Sequence, residues 1–175
     1  LLAQRSVRAC DGGAAHVFER VGLTWVARAQ LFPSDPGASA TFGDSVALDG
    51  TTIACGALGD DERGLNAGAV YVFELVNGEW IESAKLAPDL GASSYGLGRS
   101  VAFSNGRLLA SALGHGANGA VMQFARAGTT WALEAVIEPE DAPAVPAPDW
   151  FGGDLAASGD LVAIARGLGS TWAGL

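Results

Sequence analysis

Lysine is nearly absent from this chain: Lys85 stands alone beside nine arginines, against nineteen Asp and Glu, for a formal net charge of −9. No basic stretch exists to neutralise phosphates, so the chain repels nucleic acid and anionic membrane surfaces. Its acidity serves solubility. Cysteine is as scarce: Cys10 and Cys55 are one pair in 175 residues, which is no disulfide framework. Whether the two pair is open, although Cys55 lies in the apolar run Ile53-Ala54-Cys55-Gly56-Ala57, where a buried free thiol is the default. No run of about 18 apolar residues occurs, which excludes a membrane-spanning helix. No secretory signal is legible. Both ends read as cut from something longer, so that missing signal says nothing about a parent chain. What is plentiful is glycine, at 25 residues, with seven prolines and 49% hydrophobic residues. That composition points to an ordered domain of many short strands joined by tight turns.

Two patterns recur three times. In the first, Gly13-Ala14-Ala15-His16-Val17-Phe18, Gly68-Ala69-Val70-Tyr71-Val72-Phe73 and Gly119-Ala120-Val121-Met122-Gln123-Phe124 each precede a tryptophan, at Trp25, Trp80 and Trp131. In every copy the Phe stands seven residues before the Trp, leaving room for a short turn such as Val76-Asn77-Gly78-Glu79. Each Trp is followed four and six residues on by Ala29 and Leu31, Ala84 and Leu86, or Ala135 and Ile137. In an unbroken strand those offsets put all three side chains on one face. The fixed places of the aromatics favour packing between stacked sheets over a carbohydrate-binding set.

The second pattern reads Phe42-Gly43-Asp44-Ser45-Val46-Ala47-Leu48, Leu97-Gly98-Arg99-Ser100-Val101-Ala102-Phe103 and Phe151-Gly152-Gly153-Asp154-Leu155-Ala156-Ala157. Two-residue turns follow at Asp49-Gly50, Asn105-Gly106 and Ser158-Gly159, then a returning apolar strand. Four antiparallel strands at a period near 50 residues describe a β-propeller blade. The chain therefore reads as an all-β partial propeller of about three blades. Residues 1–33 are the end of one blade, with an inner neighbour beginning at Leu1-Leu2-Ala3; 42–88 form a second, 97–139 a third, and 151–175 the start of a fourth. So short an array leaves blade faces and strand edges open, and the segment alone is expected to be marginal, aggregation-prone or associated with copies of itself.

Phe42-Gly43, with Gly56-Ala57 fourteen residues on, resembles the FG-GAP repeat of integrin α-chain propellers, most closely the short bacterial form. Leu58 replaces the motif's proline, Leu97 replaces Phe in the next repeat, and Ser111-Ala112-Leu113 and Ala165-Arg166-Gly167 stand where Gly-Ala-Pro would fall. The resemblance implies a seven-bladed parent whose remaining blades complete the ring. Such a protein is secreted or on a cell surface and acts in adhesion, ligand binding or scaffolding toward a protein or glycan.

Candidate chemistry is sparse. The glycine-rich loops precede no helix, which removes phosphate-cradle readings. His16 holds the pattern position of Tyr71 and Met122 and reads as structural, and His115 has no second His or Cys near it in sequence. Neither Gly-x-Ser-x-Gly nor His-Glu-x-x-His occurs, and Glu138, Glu140 and Asp141 sit in a Pro-rich link. The chain is thus read as noncatalytic, with the propeller part of a secreted hydrolase as the alternative. In integrin-like repeats calcium sits in the hairpin between strands one and two, on an alternating run of acids. Here those hairpins are cut to two residues; Asp49 is the sole acid in the first, Asp44 lies back on its strand, the second has none, and the third offers only Asp160. No calcium is expected at 48–52, 103–107 or 157–161, and no other cofactor. The remaining candidate is the loop Gly59-Asp60-Asp61-Glu62-Arg63-Gly64-Leu65-Asn66, read either as a solvated turn or as a ligand contact. Asp60, Asp61 and Asn66 are the donors for a weak, partly hydrated calcium there, with Glu62 beside them.

Overall fold

The computed structural model describes residues 13–35, 41–89, 93–140 and 149–168. Cys10, Leu1-Leu2-Ala3, Asp141 and residues 169–175 lie outside these. Among the described residues twelve strands run in order: β1 (Ala15–Val21), β2 (Thr24–Leu31), β3 (Phe42–Asp49), β4 (Thr52–Ala57), β5 (Ala69–Val76), β6 (Glu79–Leu86), β7 (Leu97–Ser104), β8 (Arg107–Ala112), β9 (Ala120–Ala127), β10 (Thr130–Ile137), β11 (Asp149–Ser158) and β12 (Leu161–Leu168). No helix occurs among the described residues. Among the described residues the ladders all join consecutive strands antiparallel, and one isolated parallel bridge, Gly68↔Leu97, links the two complete blades. The sheets are β3-β4-β5-β6 and β7-β8-β9-β10, flanked by the two-stranded β1-β2 and β11-β12. The fold is all-β, a succession of propeller blades whose ring is not closed.

Blades stack because both faces of each central strand are apolar. On β4, Ile53, Cys55 and Ala57 pack with β1-β2 residues such as Ala15 and Leu31, while Ala54 turns the other way, into a cluster with Leu97, Val101 and Leu108. On β5, Tyr71 and Phe73 share the first cluster, Val70 and Val72 the second. A third cluster joins Ala102, Leu109 and Val121 to Leu155. Val70, Leu108 and Leu109 are wholly buried, and each contributes roughly 1.5–3 kcal/mol.

The tryptophans do not share a face with the residues four and six positions on. In each outer hairpin the pairing slips by one: Val17↔Ala29 is followed by Phe18↔Ala27, Val72↔Ala84 by Phe73↔Glu82, and Gln123↔Ala135 by Phe124↔Leu133. Arg28, Ser83 and Glu134 are the extra residues, one β-bulge per blade, and each reverses the strand's facing. Trp80 accordingly packs toward β1-β2 with Phe73, whereas Ala84 and Leu86 face β7-β8. Trp131 occupies the equivalent place one blade on, beside Phe103.

Two of the hairpin turns are also displaced by one residue from the sequence reading. Asn105-Gly106 is a two-residue loop with positive φ at both positions, 47° and 72°, as a type I′ turn requires. At the first inner hairpin, however, Asp49 still pairs with Thr52, and the loop is Gly50-Thr51. At the last, Ser158 pairs with Leu161 around Gly159-Asp160. Glycine then takes the first loop position, with φ 57° and 55°, the II′ pattern, which tolerates a side chain at the second.

The two recurrent glycines meet between blades. Leu97 N donates to Ala67 O at 3.0 Å, and Phe151 N donates to Asn118 O at 3.0 Å. This contact sets the backbone of one blade's third strand against the first strand of the next. Gly98, at φ 88°, lies so close that a Cβ there would stand 2.6 Å from Ala69 O.

Candidate functional site

The acidic loop between β4 and β5 is folded onto its own blade. Asp60 is fully buried. Its Oδ1 accepts from Glu62 N at 3.1 Å, closing a local turn, and its Oδ2 lies 2.9 Å from the Tyr71 hydroxyl. Lys85 stands directly across the sheet from Tyr71. From that position Nζ reaches Asp35 at 2.6 Å, Asp60 at 2.8 Å and Glu62 at 2.7 Å. The ammonium donates hydrogen bonds to Asp35 and Glu62 and forms an ion pair with Asp60. The Tyr71 hydroxyl, 2.7 Å from Asp35, has one proton to share between Asp35 and Asp60. Nζ also lies 5.1 Å from the centre of the Tyr71 ring, within cation–π range.

Burial alone would pull the Lys85 ammonium down, but bonds to Asp35, Asp60 and Glu62 outweigh it and hold its pKa well above the usual value. Burial, with Asp35 and Asp60 nearby, drives the Tyr71 hydroxyl upward, so it stays a donor. Burial opposes ionisation of Asp35 as well, yet bonds to Lys85 and Tyr71 keep it below the carboxylate range; Lys85 does the same for Glu62. Elsewhere in the core, burial lifts the free Cys55 thiol to about 12, which leaves it unreactive.

Asp35 comes from the link after β2, not from this blade. The same link is tied down by Ser34, whose backbone N–H and hydroxyl both donate to Glu82 at 2.8 Å. The cluster thus clamps one blade to the next. Of the residues singled out in sequence, Asp60 and Glu62 meet here. Asp61 points elsewhere and accepts from Asn66 N at 2.5 Å, and Asn66 takes φ 52°. The four therefore do not converge on one point. Lys85, Tyr71 and Asp35 were not singled out, although a lone lysine in the repeat that carries the acidic loop was the available signal. Among the described residues no group of three or more His, Cys, Asp or Glu is arranged to hold a metal.

The loop's outer side joins a continuous rim. Ser94 N donates to Leu65 O at 2.7 Å, Gly96 N to Asn66 O at 3.1 Å, and Gly114 N to Tyr95 O at 2.8 Å. These bonds link the 59–66 loop, the 93–96 segment and the β8–β9 loop. The Tyr95 hydroxyl lies 2.8 Å from His115 Nδ1, and His115 Nε2 lies 3.1 Å from Glu138. His115 is therefore engaged with a tyrosine and a carboxylate, in the place that Asp60 holds one blade earlier. Leu65 projects from this rim, 65% exposed.

Stacked four-stranded meanders with their loops gathered on a rim define a β-propeller-type repeat module. Residues 25–73, from Trp25 through Phe73, match the family model of the FG-GAP repeat, so this part of the chain is an FG-GAP repeat. No curated protein matches the chain.

Proposed function

We propose that this chain is a noncatalytic, extracellular or surface-exposed propeller module that binds a protein or glycan through the rim built by 59–66, 93–96 and 113–119. The observation that carries the reading is the backbone bonding from Leu65 and Asn66 to Ser94 and Gly96, which joins loops of two neighbouring blades into one surface. Preorganised loops on a rigid scaffold are where such folds keep their contacts. The exposed Leu65 with the charged Asp61 and Arg63 around it gives that surface an apolar centre and a polar border. Within the loop, Asp60 and Glu62 are both bound to Lys85. FG-GAP repeats are typical of extracellular and surface proteins, which supports the location.

A glycan array and a panel of purified matrix proteins, probed with the wild-type chain and with Leu65→Asp/Arg63→Glu, test this. The expected result is a retained ligand that the rim variant binds at least about 10-fold more weakly, the loss of an anchor worth about 1.4 kcal/mol. A ligand held equally by both chains, or one that is hydrolysed, sinks the proposal.

A further inference from the structure

A hollow of about 360 Å³ opens between the two complete blades, where the end of β6 and the link after it meet the β9-β10 pair. That volume lies within the range of small-ligand sites, roughly 300–1,000 Å³. Three aromatic rings, Tyr95, Phe124 and Trp131, line it together with Leu86 and the Met122 thioether, and its charged side chains are Lys85 and Asp89. The side-chain donors on this wall are already engaged. Lys85 Nζ is held by Asp35, Asp60 and Glu62. The Tyr95 hydroxyl lies 2.8 Å from His115 Nδ1 and 3.9 Å from Met122 Sδ. Trp131 Nε1 is buried although the residue is partly open, so the indole shows ring carbon to the hollow. A sugar or an anion would bring oxygens that find no side-chain donor here, and unpaired polar groups cost affinity.

The charge around the hollow is negative. Asp89 is exposed at its edge. Burial first, and then the charges of Asp89 and Glu138, hold the Tyr95 phenol above its usual value, so both carboxylates act at this wall. The cluster behind Lys85 adds three carboxylates against one ammonium. Aromatic faces carry the negative side of the ring quadrupole and attract cations, most strongly where water is excluded.

We propose that this hollow binds a quaternary ammonium group on a small molecule with no anionic arm, of which choline is the simplest form. Such a group has no N–H to satisfy and asks for no acceptor in fixed geometry. Its methyl groups fit ring faces and a polarisable thioether, and Asp89 supplies the countercharge. A primary ammonium fits less well, because it is strongly hydrated and brings three N–H donors. The site stands apart from the loop surface proposed above and does not depend on it.

Isothermal titration of choline chloride into the full chain, at ionic strength held constant with sodium chloride, tests this. Saturable binding at one site per chain is expected, and tetramethylammonium should bind as well. The uncharged tert-butyl isostere of choline keeps the shape and loses the charge, so it should bind at least about 10-fold more weakly. Betaine and phosphocholine carry an anion toward Asp89 and should also bind more weakly than choline, which separates free choline from a lipid headgroup. Asp89→Asn, a change at an exposed side chain, should weaken choline by about 3-fold. Trp131→Leu should weaken it by at least about 10-fold; should that variant not fold, the isostere and Asp89→Asn decide alone. No choline binding at millimolar concentration, equal binding of the uncharged isostere, betaine or phosphocholine bound as well as choline, or affinity unchanged by Asp89→Asn would overturn the proposal.

Discussion

Lys85 balances three carboxylates with one positive charge, and that imbalance makes the cluster sensitive to its removal. Lys85→Met leaves Asp60 fully buried with only the Tyr71 proton and local backbone donors to face it. Breaking a buried pair from one side costs about 3–5 kcal/mol, and chemical denaturation should show a loss of that order. Lys85→Met/Asp60→Asn should recover part of it, because the stranded charge is gone; an equal loss in both variants would mean that packing, not charge, holds the cluster. Acid should act on the same groups. Asp35 and Glu62 are held below the carboxylate range, so the stability they add is whole above the unfolded value and lost as pH falls through the folded one. The window opens below about pH 4. Lys85 is shifted up, so its share is whole below about pH 10.4 and lost only as pH rises further. Thermal midpoints recorded downward from pH 7 should fall less steeply in Lys85→Met than in the wild type, and parallel slopes would exclude the cluster as the cause. Asp60 and Glu62 were visible in sequence as an acidic loop. Their partners were not, because Tyr71 and Lys85 meet only through the β5-β6 register and Asp35 arrives from the preceding blade.

Each element is set by local backbone chemistry of two kinds, and only one of them is marked in the sequence. Asn77-Gly78 and Asn105-Gly106 declare their turns because both positions need positive φ. Asp49-Gly50 and Ser158-Gly159 misplace theirs by one residue, since a lone glycine suits the first position of a II′ turn as well as the second of a I′. The bulges at Arg28, Ser83 and Glu134 carry no such mark. Each is an ordinary polar residue whose extra count appears only when two strands are aligned, so Trp80 and Leu86 read as one face when they occupy two. The repeated glycines separate in the same way. Gly98 and Gly106 have similar φ, 88° and 72°, yet a Cβ at Gly98 meets Ala69 O whereas one at Gly106 meets nothing within 4 Å. Gly106→Ala should cost about 1–2 kcal/mol, from the left-handed backbone alone. Gly98→Ala adds a clash with a backbone oxygen that cannot swing aside, and should cost about 3 kcal/mol or more. Urea titrations of the two variants compare them directly; equal losses would show that the approach of the blades at Gly98 is slack.

At the scale of the molecule, stability follows from which blades have neighbours on both sides. In stacked repeats each unit is held by its own packing and by its two interfaces. The central strands β4, β5, β8 and β9 are paired on both edges, and Val70, Leu97, Leu108 and Ala110 from facing sheets form one buried cluster between the two complete blades. By contrast, among the described residues β1 and β2 pair only with each other and leave Phe18 and Trp25 exposed, Trp25 at 68%. At the other end, among the described residues, β11-β12 packs through one interface, around Leu155, and Leu161 is exposed. Opening should therefore begin at both half blades and reach the central pair last. Amide hydrogen exchange read strand by strand is the measurement. Protection of β4-β5 and β8-β9 is expected to exceed that of β1-β2 by on the order of 100-fold, with β11-β12 between them because β11 packs against three strands of the neighbouring blade, β7, β8 and β9. Uniform protection across all twelve strands in dilute solution would mean that the array unfolds as one unit, and that the half blades are held by more than the contacts described.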